Sequence, residues 1–504
     1  MEKNITPILD SSFIKSETTS VLKNLNLEIP SNDDFYNYIK IILEKFSTKP
    51  LVSQKEILNE LRVDKKELLK LNYIIQNSEE FQNLIVKNSP ARKYWNTIIP
   101  FAALTDKVLK NEFSFPKRIA IFPGVSCMFY CGFCGRNQSA KYPTSILSDS
   151  SLAFDKLFNE SPKDTAFSIS GGLEPLTNPK IGEMISSAKK NGFKIPLITN
   201  GYSLTENFLN KTPGIWNLDS LRISLYGVDK ESYHFITRVE KSFEMVKKNT
   251  INFLKKRNLN NKNLKFGFNF IIIPENIEQL LKIPKLINEI NHQTGEKNGV
   301  NFLTLRDDYQ SVTGGEENVD TQRKYRLSKK IEKDERLRLI EVLKEFENLR
   351  SEYCSDLHVD YGYSLENLSR GIFDSGLIKN NGLQMRKFGF TQLSVAIDLY
   401  GDVFLYREAG FLNRQGNSKM IIGRISKEKT LAEVIKNFLN KKQPIIYDEN
   451  DSRFMDSFDH VLTSLVNQAE EDENYDIPFI KGPIRERNLL KKMKLGNNWY
   501  SDEV

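Results

Sequence analysis

From Lys117 onward the chain alternates short apolar runs with amphipathic stretches, and this alternation narrows the possible folds more than any other feature. The runs are RIAIFP (118–123), FSIS (167–170), IPLIT (195–199), LRISLYG (221–227), FGFNFIII (266–273) and VNFLTL (300–305). Each is the length of a strand buried on both faces, and each leads into a polar or glycine-containing loop. Between them, PKIGEMISSAKKNG and KSFEMVKKNTINFLKKRN carry apolar residues at helical spacing and close on basic residues, Asn or Gly. Strand, loop and helix in repetition predict an α/β fold: a parallel sheet covered by helices, curved or closed as a partial or full α/β barrel. In such folds the reactive groups sit in the loops at the C-terminal ends of the strands.

Residues 1–110 read as a helical module. DDFYNYIKIILEKF and SQKEILNELRVDKKELLKLNYIIQ both repeat apolar residues every three or four positions, with Asp or Ser near the start. The barrel core is expected over 111–325 and an extension over 326–504. That extension opens with the charged helical stretch KKIEKDERLRLIEVLKEFENLRSEY. It continues with FTQLSVAIDLYGDVFLYREAGF, where two alternating apolar runs flank Tyr400, Gly401 and Asp402 as in a β-hairpin. The last 50 residues carry no readable pattern.

Composition excludes several classes. With 39% hydrophobic and 27% charged residues the chain is neither disordered nor fibrous. An excess of 72 basic over 65 acidic residues, +7 on 504 residues, is too dilute for a nucleic-acid surface and suits an anionic small substrate. No run approaches the ~20 apolar residues of a membrane span. MEKNITPILDSS has no signal-type apolar core, so no membrane association and a cytoplasmic location are expected.

Only four cysteines occur, and Cys127, Cys131 and Cys134 fall in GVSCMFYCGFCGRN, directly after the first strand of the core. Three thiolates in one loop can hold a cubic [4Fe-4S] cluster and leave one iron open to a substrate. Phe133 would shield that cluster from water, and Gly132 and Gly135 let the backbone approach it. The competing readings are a zinc site, which lacks a fourth ligand because Cys354 lies 220 residues away, and unrelated buried thiols.

The Cys-x3-Cys-x-aromatic-Cys loop, SISGGLEPLTNP after the second run and TNG after the third resemble the radical S-adenosylmethionine (SAM) superfamily from about Lys117 to about Asp308. The resemblance implies that the cluster binds SAM and splits it reductively to methionine and a 5′-deoxyadenosyl radical. It also implies a flavodoxin- or ferredoxin-type electron donor. Gly171, Gly172 and Glu174 match a motif that contacts the SAM amine, with Leu173 as an extra residue. Asn200 lies in the loop after the third strand. Ser224 takes the position that meets the SAM ribose or carboxylate, Arg238 is a counter-ion for that carboxylate, and Asn269 points at the nucleoside.

Motif texture and the helical module before the cysteines resemble the branch acting on nucleotide-linked amino-deoxy sugars. That resemblance implies hydrogen abstraction at C3 of a 4-amino-4,6-dideoxyhexose and loss of ammonia to a 3-keto-4,6-dideoxy sugar. Arg306 and Asp307, in RDDY after the sixth run, are the expected substrate cation and base. Asp308, Arg136 and Arg407 are further candidates. The hairpin also resembles the start of the extension that holds auxiliary clusters in peptide-modifying members, but it contains no cysteine. Other substrates (an aminoglycoside, a peptide or an RNA) and a non-catalytic metal-binding protein are the alternatives.

Overall fold

The computed structural model describes residues 10–48, 54–81, 84, 101, 104–136, 140–307, 333–362, 365, 368, 385–441, 443–448 and 451–474. The chain divides into two compact units. One comprises Met1–Glu112, Ile372–Gln384 and His460–Ser501, and the other Phe113–Gly371, Met385–Asp459 and Asp502–Val504. The expected extension over 326–504 is therefore shared between the two.

In the first unit the helix Ser11–Asn24 starts at Asp10, whose carboxylate accepts the Ser12 N–H at 2.9 Å. Its buried Ile14, Val21 and Leu22 pack with the helices Asp34–Thr48 and Lys65–Asn77. The stretch 53–76, read as one helical segment, is two: Gln54–Leu61 ends before Arg62, which has φ +53°, and Lys65–Asn77 begins at Asp64. The Asp64 carboxylate accepts the Glu67 N–H at 2.7 Å, and a capping side chain of this kind both starts a helix and separates it from the one before.

Among the described residues the second unit is built on a ten-stranded sheet, whose order from edge to edge is Ile421–Arg424, Asp402–Phe404, Ser394–Ile397, Arg118–Ile121, Ala166–Ile169, Pro196–Thr199, Ser220–Leu225, Lys265–Ile272, Phe302–Asp307 and His358–Tyr361. The core strands are β1 (Arg118–Ile121), β2 (Ala166–Ile169), β3 (Pro196–Thr199), β4 (Ser220–Leu225), β5 (Lys265–Ile272), β6 (Phe302–Asp307) and β7 (His358–Tyr361), all parallel. Helices Leu147–Glu160, Ile181–Lys190, Ser242–Asn260, Ile283–Thr294 and Lys333–Tyr353 make the crossovers. The six apolar runs became β1 to β6. Both faces of these strands are covered, so the residues of β1 and β2 are buried without alternation.

The predicted hairpin forms from β8 (Ser394–Ile397) and β9 (Asp402–Phe404), with Gly401 at φ +84° in the turn. It extends the sheet on the β1 side: β8 runs parallel to β1 with Arg118 opposite Ser394, and β10 (Ile421–Arg424) closes that edge. Among the described residues β7 and β10 do not pair, so the barrel is partial. The ends of β1 through β6 nonetheless line one cavity, so the sheet curves around it. Inside that curve Ser224, Asn269 and Thr304 lie side by side in register on β4, β5 and β6.

Candidate active site

The cysteine loop leaves β1 through Gly124, where a side chain could not fit. An added Cβ would lie 2.4 Å from the Leu173 carbonyl carbon in the loop after β2. The two loops are sewn together. Thr177 Oγ1 accepts the N–H groups of Val125 and Ser126 at 3.1 Å each, Glu174 N–H donates to Ser126 at 2.9 Å, and Asn178 Nδ2 donates to Pro123 at 2.9 Å. On its other side the loop is tied to a helix end, with the Tyr130 N–H donating to the Thr237 carbonyl at 2.9 Å.

Cys127, Cys131, Phe133 and Cys134 all line a cavity of about 280 Å³, close to the lower end of small-ligand pockets. Burial pushes the Cys127 thiol up to about 11 while Arg136 pulls it back, and Cys131 is raised well above its ordinary value by burial and then by the two neighbouring cysteines. Neutral thiols in an apolar wall are what a soft metal centre deprotonates on binding. Among the described residues no three thiol, imidazole or carboxylate groups close on a single-ion centre. Cys354, past the helix Lys333–Tyr353, does not line the cavity. Three sulfurs on one loop beside an open cavity fit a site-differentiated cluster.

An aromatic box surrounds the loop. Phe133 stacks on Tyr226 at 6.0 Å, and Phe129 meets Tyr202, Tyr226 and Tyr233 edge-on at 5.5, 5.6 and 6.4 Å. The Tyr226 hydroxyl is hydrogen-bonded to Cys131. Tyr226 was missed in the sequence, although an aromatic residue closing LRISLYG at a strand end marked its place. Arg136, considered as a diphosphate ligand, lines the cavity as well, with its guanidinium donating to the Phe129 carbonyl in the cysteine loop.

The strand ends supply the rest of the cavity. Gly171 (φ +92°) and Gly172 (φ +64°) adopt left-handed conformations against Phe122, and a Cβ on Gly171 would lie 2.6 Å from that ring. Glu174 lines the cavity yet is buried. Its carboxylate receives the Leu176 N–H at 3.1 Å, the Asn200 N–H at 2.8 Å and the Thr199 hydroxyl. It thus braces the ends of β2 and β3, and an incoming ammonium would share it with these donors. Asn200, Ser224 and Asn269 line the cavity as well, and the Asn269 carboxamide oxygen is buried with no hydrogen-bond partner. Such an orphan at a cavity wall is a place for a ligand donor.

Arg238 is the candidate that the fold does not bring to the cavity. It takes the left-handed conformation after the helix Lys230–Thr237 and lies over the Phe235 ring at 5.1 Å. Arg306, at the end of β6, does reach the cavity. The Asp307 side chain and Asp308 lie outside the described residues.

A group not legible in the sequence completes the lining: Ser170, Glu408, Phe411, Arg453, Met455 and Asp456, together with Arg407. Arg407 contacts Asp456 Oδ2 at 3.3 Å and donates to the Ser170 hydroxyl, and its N–H donates to Asp459 Oδ2 at 2.9 Å. Asp456 and Met455 fall in the unpatterned C-terminal stretch. Only the tertiary fold brings that stretch to the strand ends.

A cysteine loop after the first strand of a partial parallel barrel, open to one cavity at the strand ends, defines the class. Compared with known protein families, residues 121–287 match the Radical SAM superfamily, and the chain belongs to it. It is a radical SAM enzyme, and membership implies a [4Fe-4S] cluster and SAM.

Among curated proteins it is 33% identical over 433 residues to the dTDP-4-amino-4,6-dideoxy-D-glucose ammonia-lyase of Streptomyces venezuelae, covering 85% of this chain and 86% of that protein. Among solved structures it is similar to Streptococcus suis SuiB bound to precursor peptide SuiA, with 16% identity, 70% of each chain covered and a TM-score of 0.43. It is also similar to native anSMEcpe with bound AdoMet and Cp18Cys peptide, with 14% identity, 75% of this chain and 99% of that one covered, and a TM-score of 0.44. No helix among the described residues is long and apolar enough to cross a membrane.

Proposed function

We propose that this enzyme is an ammonia-lyase on a nucleotide-linked 4-amino-4,6-dideoxyhexose: a hydrogen atom leaves C3, ammonia leaves C4, and one electron from the flavodoxin- or ferredoxin-type donor with a proton quenches the remaining radical to leave a 3-keto-4,6-dideoxy sugar. The observation that carries the reading is the make-up of the cavity. The three cysteines share it with a cluster of charged groups, the half-buried Arg306, Arg407 and Glu408 and the buried Asp456, suited to a substrate that is itself charged at both ends. The 33% identity over most of the chain to a sugar-nucleotide ammonia-lyase supports the same reading.

In this reading Cys127, Cys131 and Cys134 hold the cluster, and Phe133 and Tyr226 keep water from it. When bound, the cluster and SAM supply the radical that takes the hydrogen atom. Gly171, Gly172 and Glu174 receive the amine end of SAM, while Ser224, Asn200 and the orphan Asn269 oxygen receive its ribose and nucleoside. Arg306 takes the diphosphate, because a guanidinium fork matches phosphate oxygens. Asp307 is retained as the candidate base, and a flavodoxin- or ferredoxin-type protein as the electron source.

The test is anaerobic reconstitution with iron, sulfide and SAM, followed by incubation with dTDP-4-amino-4,6-dideoxyglucose. Ammonia and a keto-sugar nucleotide are expected in step with 5′-deoxyadenosine. SAM cleavage with an unchanged sugar nucleotide would remove the substrate assignment and leave the superfamily membership standing.

A further inference from the structure

Asp456 is a carboxylate of the cavity's charged group that is fixed in place, as Glu408 is by Arg414 at 3.0 Å, and it is the more buried of the two. Its side chain is only 8% exposed, and one of its carboxylate oxygens lies 3.3 Å from Arg407 Nη1. The other oxygen accepts the Asp459 N–H at 2.8 Å. A carboxylate offers about four acceptor directions, so two remain for a ligand. Arg407 is itself held by the Ser170 hydroxyl and cannot swing away without breaking that bond.

Burial alone would neutralise Asp456, but Arg407 and then Arg118 outweigh it and hold the carboxyl below its usual range. Its neighbour Asp459 is pushed well above that range by burial and by the Asp456 charge. Independently, the buried and unpartnered Asn269 oxygen in the same cavity marks it as built around a ligand.

We propose that Asp456 is the specificity-determining counter-ion for the ammonium group of the substrate, so that the site selects amino sugars over their hydroxyl counterparts. The inference rests on the functional reading above and names the residue that reads its amine. A carboxylate already oriented by a guanidinium and a backbone N–H forms a charge-assisted bond to an ammonium, and a neutral hydroxyl gains much less from the same position.

The test is equilibrium binding to the reconstituted, SAM-loaded enzyme of dTDP-4-amino-4,6-dideoxyglucose and of dTDP-6-deoxyglucose, which has a hydroxyl in place of the amine. The wild type should favour the amine by roughly tenfold to a hundredfold. Asp456→Asn should bring that ratio close to one while leaving affinity for the hydroxyl compound within about threefold. Asp459→Asn, at a neighbour that does not line the cavity, should keep the preference.

Equal binding of both sugars by the wild type, a preference retained in Asp456→Asn, or its equal loss in Asp459→Asn would overturn the proposal and leave the lyase reading intact. Binding of neither sugar by the wild type would overturn both. Should Asp456→Asn fail to fold, Asp456→Glu takes its place. The longer carboxylate should weaken the amine compound alone by several-fold, and unchanged affinities would overturn the proposal.

Discussion

Cys127, half-buried, and Cys131, buried, both resist ionisation as thiols, so the charge they carry as iron ligands must be offset by the metal and by Arg136 in the same loop. Removing any one of three ligands leaves an incomplete site. Cys127→Ala, Cys131→Ala and Cys134→Ala should each lose the broad visible absorbance and reduce SAM cleavage to background. Cys354→Ala, outside the cavity, should keep both, and loss of iron in that variant would reveal a fourth protein ligand. Arg306 belongs to the other part of the cavity. Arg306→Ala should raise KM for the sugar nucleotide roughly tenfold or more, the worth of one charge-assisted bond, with substrate-free SAM cleavage almost unchanged. Unaltered sugar kinetics would take Arg306 out of the substrate site.

Two elements far apart in sequence form the side of the barrel next to β1: the segment following the cysteine loop and the β8–β9 hairpin. They meet at Asp398, whose Oδ2 accepts the Tyr142 hydroxyl at 3.0 Å while Oδ1 accepts the Asp402 N–H at 2.9 Å. Burial, and then the Asp402 charge, push the Asp398 carboxyl up to about 7. Between about pH 4, where an unfolded aspartate ionises, and about pH 7 the folded state keeps a proton that the unfolded chain has released. Stability therefore falls as pH rises through that window and is level above it. Thermal unfolding compared at about pH 5 and about pH 8 should show a larger Tm gain for Asp398→Asn at the higher pH. An equal gain at both would show that Asp398 is not the titrating group. The hairpin itself was legible from Tyr400, Gly401 and Asp402. Its partner was not, because the parallel pairing of Ser394 with Arg118 joins residues 276 positions apart and no local pattern records it.

At the scale of the whole molecule, what could be read in advance was what short-range chemistry encodes. Six apolar runs became six strands, and the cysteine spacing located the loop at the cavity. The edge strand β7 was missed because HVDY is short and mixed in polarity. Asp456, Met455 and Arg453 were missed because the stretch that holds them reads as neither amphipathic nor a motif, and only the closed fold brings it to the strand ends. Arg238, expected on the helix after β4, lies just past its end, where the backbone turns left-handed and lays the side chain on Phe235. With three of four cysteines in one loop, the reconstituted protein should bind about four irons per chain. A value near eight would mean a second cluster and would favour a different branch of the superfamily.

The central claim is that the hydrogen atom leaves C3 of the amino sugar and is taken up at the SAM-derived nucleoside. Incubating the reconstituted enzyme with SAM and dTDP-4-amino-4,6-dideoxyglucose deuterated at C3, then analysing 5′-deoxyadenosine by mass spectrometry, tests it most directly. Deuterium in the 5′-deoxyadenosine, formed in step with ammonia release, is the predicted result. Deuterium retained in the sugar or lost to water, with unlabelled 5′-deoxyadenosine, would contradict it.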